Sequence, residues 1–72
     1  MSLDEFQKEN RAIVKHLKSN GVKDAGAGDD DFSTVMTSTD IEKVRAALKN
    51  YPNDVVIRES FGSGCHIIYP KR

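Results

Sequence analysis

A short helix with marked ends lies between two strand-like runs of this sequence, and any fold the chain adopts must set that helix against those strands. Thr39 is followed three residues later by Glu42, the spacing of a capping box, in which the hydroxyl accepts from the Glu42 N–H and the carboxylate reaches back to the Thr39 N–H. Asp40 adds negative charge where the helix dipole favours it. Ile41, Val44, Leu48 and Tyr51 then recur at a period that places them on one face, with Ala47 at its edge. Pro52 disfavours the helical conformation at Tyr51, so the helix is expected to stop there.

Residues 32–37 are rich in β-favouring side chains and read as a strand, with Phe32, Thr34 and Met36 on one face and Val35 on the other. Residues 55–61 and 65–69 read as a hairpin closed by Gly62, Ser63 and Gly64. Alternation sets Val55 and Ile57 against Val56 and Arg58, and Cys65, Ile67 and Tyr69 against His66 and Ile68. Val56, Arg58, His66 and Ile68 are expected on the face that no helix covers. Pro70 ends the last strand.

Ahead of this β-α-β-β unit, residues 2–19 read as a longer amphipathic helix. Leu3, Phe6, Ile13, Val14 and Leu17 fall in a sector about 100° wide, the mark of one buried stripe. Asn10 interrupts that stripe and is expected to be satisfied by a backbone group, a water or a polar contact that fixes register. Asn20 and Gly21 supply a left-handed cap. Residues 22–31 contain two glycines and an acidic run, and are expected to form a flexible loop. The consecutive Asp29, Asp30 and Asp31 lack the alternating spacing and distant glutamate of a calcium loop. The expected fold is thus α+β in two layers, ordered α-β-α-β-β, with two helices on one face of a small three-stranded sheet and residues 1–72 forming one domain.

Size and charge narrow the functions. A 72-residue chain buries only about 60% of the surface its unfolded form exposes, so few core side chains can be spared. Lysine plus arginine and aspartate plus glutamate both number 11, so any electrostatic function has to be local. A single cysteine excludes an internal disulfide framework. The charged opening is unlike a signal peptide and no apolar run approaches a membrane span, so an intracellular protein of cytoplasm or nucleus is expected, with no membrane partner. Cys65 and His66 are strand neighbours that point to opposite faces and cannot form a dyad, while His16 lies on the first helix. The chain therefore reads as a non-enzyme without catalytic residues, cofactor or metal.

The remaining chemistry is a basic ridge on the first helix, made of Lys8, Arg11, Lys15 and Lys18 at spacings of three, four and three. Asp4 can offset Lys8, but Arg11, Lys15 and Lys18 have no acidic residue at the helical i±3 or i±4 positions. Such a ridge suits phosphates, with Arg45, Lys49 and Arg58 as second contacts.

The layout, a helix, a loop, a Phe32-initiated strand, a Thr/Asp-capped helix, then Arg58, Glu59, Ser60, Phe61, Gly62, Ser63 and Gly64 leading to Ile67, Ile68 and Tyr69, resembles a known family. It is the small single-stranded nucleic-acid-binding domain named for its Arg-x-x-x-His motif. The carboxy-terminal domain of bacterial translation initiation factor three is similar in layout. The motif itself is absent, and Arg45 with Lys49 stands where it would lie. The resemblance implies a module that binds single-stranded RNA or DNA. The alternative is a small protein-interaction or inhibitor module, docking a protein partner through the open sheet face or the hairpin edge.

Overall fold

The computed structural model describes residues 2–27, 34–59 and 64–71. It is an α+β fold with helices α1 (Leu3–Ser19) and α2 (Ile41–Leu48) and strands β1 (Gly26–Ala27), β2 (Val35–Thr37), β3 (Val55–Arg58) and β4 (His66–Pro70). The strands form one antiparallel sheet in the order β1-β2-β4-β3. The sheet thus has four strands where the sequence suggested three, because residues 26 and 27 pair with Met36 and Val35.

α1 is the centre of the fold, a place the sequence pattern assigned to the second helix. Ile13 and Leu17 are completely buried and share one core with Val35, Val44, Ala47, Leu48 and Ile68. Both ends of α1 have local causes. Ser2 caps the start by accepting from the Glu5 N–H at 3.3 Å. At the other end Gly21 takes φ +95°, Val22 N–H reaches back to Leu17 O at 2.9 Å and Gly21 N–H to Lys18 O at 3.3 Å, which is a Schellman cap. Leu3, expected in the buried stripe, is 59% exposed, whereas Asn10 is fully buried.

Within the segment 22–31, expected as a loop from its composition, Val22 and Ala25 are buried while Lys23, Asp24 and Ala27 are exposed. The Schellman cap turns Val22 back onto Leu17, leaving it 1% exposed, and Ala25 joins the same core. Residues 28–33, including the three aspartates and Phe32, and the Gly62 and Ser63 turn lie outside the described residues.

Two further expectations are corrected. The N-cap of α2 is Asp40, whose carboxylate accepts from the Glu42 N–H at 3.1 Å, while the Thr39 hydroxyl is directed to Asp24 Oδ1, to which it donates at 2.6 Å. The helix also closes earlier, with Tyr51 N–H on Leu48 O at 3.0 Å. In the hairpin, Ile68 lies opposite Val35 on one side and Ile57 on the other, and is fully buried. The helices therefore lie on the face of Val35, Thr37, Ile57, His66 and Ile68, and the face away from them carries Met36, Val56, Arg58, Ile67 and Tyr69. Val56 and Arg58 stand where alternation put them; His66 and Ile68 belong to the other face.

Candidate nucleic-acid interface

α1 distributes its side chains among three tasks. Phe6, Asn10, Ile13 and Leu17 are buried. On one flank Glu9 accepts from Tyr51 Oη at 2.6 Å and from Asn53 Nδ2 at 3.0 Å. On the same flank His16 Nε2 lies 2.8 Å from Ala47 O, so that nitrogen carries the proton and donates, and its ring meets Tyr51 edge-on with centroids 5.1 Å apart. Burial first, then the Glu9 carboxylate, pushes the Tyr51 phenol up from 10.0 to about 12. The effect on the ridge is simple. Glu9, two residues before Arg11, is held towards α2 and away from the cations.

The third flank is the ridge. Arg11, Lys15 and Lys18 line an open groove of about 480 Å³ together with Val14 and Ser19. The helical spacing brings these three cations along one wall, while half-buried Val14 contributes an apolar surface between them and the core. Lys8 continues the row and is exposed; among the described residues no ion pair joins it to Asp4. The groove wall can therefore hold successive anionic groups against cations while an apolar group rests on Val14.

The other expected contacts are dispersed. Arg45 is engaged by two carboxylates, Glu59 at 3.0 Å and Glu42 at 3.8 Å. Lys49 caps the end of α2 and is exposed. Arg58 is exposed on the sheet face away from the helices, so it does not extend the α1 groove. The structure brings together Arg11, Lys15 and Lys18, and separates them from Arg45, Lys49 and Arg58.

A polar cluster that the sequence did not reveal holds the start of β1 to the end of β2. Asp24 Oδ1 accepts from the Thr37 and Thr39 hydroxyls, and its Oδ2 accepts from the Ser38 N–H at 2.7 Å. These donors, the Thr37 hydroxyl foremost, hold the Asp24 carboxyl below its ordinary value of 3.8. Cys65 Sγ lies 3.3 Å from Ser38 Oγ beside this cluster, and His66 faces the helix side, so the two do not meet as nucleophile and base. Among the described residues no group of three His, Cys, Asp or Glu side chains is placed to hold a metal, and no helix is long and apolar enough to cross a membrane.

Comparison with family models, curated proteins and solved structures returns no match.

Proposed function

We propose that this protein is a small binding module for single-stranded nucleic acid that seats the phosphate backbone along Arg11, Lys15 and Lys18 of α1, with Lys8 at the end of the row. The observation that carries the reading is the convergence of those three cations on one open groove with Val14 at its side. The Glu9 carboxylate lies on the other flank of α1, held by Tyr51 and Asn53, so it does not offset the cations of the row. The layout resemblance to the Arg-x-x-x-His family supports the same class, with binding rather than catalysis as the activity. Arg45 and Lys49, which stand where that motif would lie, are not part of the groove, so affinity rests mainly on α1.

The test replaces Arg11 and Lys15 together by glutamine, which keeps helix propensity and leaves the buried stripe intact. Binding of a short single strand, followed by fluorescence anisotropy at several salt concentrations, should weaken. The slope of log affinity against log salt should flatten by roughly 0.7 for each phosphate no longer neutralised. Unchanged affinity and slope in a variant with an unchanged melting curve would reject the reading.

A further inference from the structure

The sheet ends on β3, and among the described residues nothing pairs with its outer edge. The direction of its main-chain groups follows from one bond. Lys71 N–H donates to Asp54 O at 3.1 Å, so Asp54, Val56 and Arg58 direct their N–H and C=O towards β4, and Val55 and Ile57 direct theirs outwards. Val55, Val56 and Ile57 are all only half-buried, although Ile68 beside them is fully buried. Unpaired edges of this kind are templates for another strand.

The charges on this edge are self-complementary. Asp54, Val56 and Arg58 share the helix-free face, and the two charged residues stand symmetrically about Val56. Neither makes an ion pair among the described residues, Lys71 beside Asp54 included. Turning a second copy by 180° about an axis through Val56 sets Asp54 of each copy opposite Arg58 of the other. The same operation sets Val55 opposite Ile57, the two residues whose main-chain groups point outwards, so hydrogen-bond parity and charge complementarity select the same register. A slip of two residues in either direction loses the charge pairing. Glu59 is kept out of this arrangement, because its side chain is held by Arg45 at 3.0 Å.

We propose that β3 is a self-association edge, on which two copies of this chain pair antiparallel about Val56 and join their sheets, with reciprocal Asp54 and Arg58 contacts fixing the register. Val55 and Ile57 exchange main-chain hydrogen bonds with their counterparts, and the apolar side chains of Met36, Val56, Ile67 and Tyr69 become parts of one larger face. Arg11, Lys15 and Lys18 take no part, so this assembly stands or falls independently of nucleic-acid binding.

Sedimentation equilibrium of the full chain from about 10 μM to about 1 mM tests the pairing. The wild type should associate to dimers over this range, and the amide protons of Val55 and Ile57 should gain exchange protection as dimer forms. Asp54→Arg and Arg58→Asp each oppose like charges at both symmetric positions, and each should weaken the dimer by at least about tenfold. Mixing the two single variants should restore association as a heterodimer, and the double charge swap should restore the homodimer. Circular-dichroism melts establish that each variant is folded, since both positions are exposed. A wild type that stays monomeric throughout, single variants that dimerise as well as wild type, or a mixture that fails to associate would each overturn the proposal.

Discussion

The Tyr51 phenol donates a 2.6 Å hydrogen bond to Glu9 Oε1 across 42 residues of chain, tying α1 to the segment that leaves α2. Asn53 donates to the same oxygen at 3.0 Å, so the carboxylate keeps one partner when the other is removed. Tyr51→Phe should therefore cost about 1–2 kcal/mol, at the lower end for a bond to a charged acceptor. The shift of the urea midpoint checks this. The edge-on ring contact with His16 should persist in the variant.

Alkaline titration should expose the same contact. The phenol is held protonated in the fold, its value raised from 10.0 to about 12 by burial and by Glu9. A raised value contributes stability that is present below the unfolded value and lost as pH climbs through the folded one. Stability should decline across that window, and less steeply in Tyr51→Phe. Subtracting the variant's tyrosinate absorbance from the wild type's should isolate a late ionisation.

Asp24 predicts the opposite limb. Its carboxyl is depressed by hydroxyl and N–H donors, so it contributes stability above its ordinary 3.8 that is lost as pH falls through its lower folded value. Asp24→Asn should cost roughly 1 kcal/mol at neutral pH, a modest figure because the site is solvent-screened. The difference from wild type should shrink in acid. Urea midpoints measured at neutral pH and below the ordinary carboxylate range decide it.

Val22 tests the packing of the segment after α1. Val22→Ala removes two methyl groups from a side chain only 1% exposed and should cost roughly 1–3 kcal/mol. Lys23→Ala next to it is exposed and should stay within about 0.5 kcal/mol. Equal effects at the two positions would mean that Val22 does not reach the core.

Particular residues show how much of the fold and site is legible in the sequence. The extent of α1, its glycine cap and the basic row on its exposed flank follow from a long periodic pattern, and long patterns average over local ambiguity. The face of the hairpin is not legible, because Ile67 and Ile68 are the same residue type and alternation only says that they differ. Tertiary packing against Val35 chose Ile68. Thr39 and Asp40 are both competent caps by type; Asp40 takes the role, and the Thr39 hydroxyl points instead to Asp24, a partner from elsewhere in the chain. Residues 22–27 look like a loop by composition, yet an apolar residue directly after Gly21 is itself the signature of a Schellman cap folding back on Leu17. That signal is present and is outweighed by the glycines and acids around it.

β4 comes last of the four strands in sequence and lies inside the sheet, with β2 on one side and β3 on the other. Of the pairings seen among the described residues, the one between Gly26–Ala27 and β2 alone does not need residues 66–70. The strand of residues 35–37 keeps one edge open, and that of residues 55–58 has no paired neighbour, until residues 66–70 emerge between them. Assembly is thereby tied to the arrival of the last strand rather than spread along translation, and a product interrupted upstream of it would carry sticky, unpaired edges and no closed core.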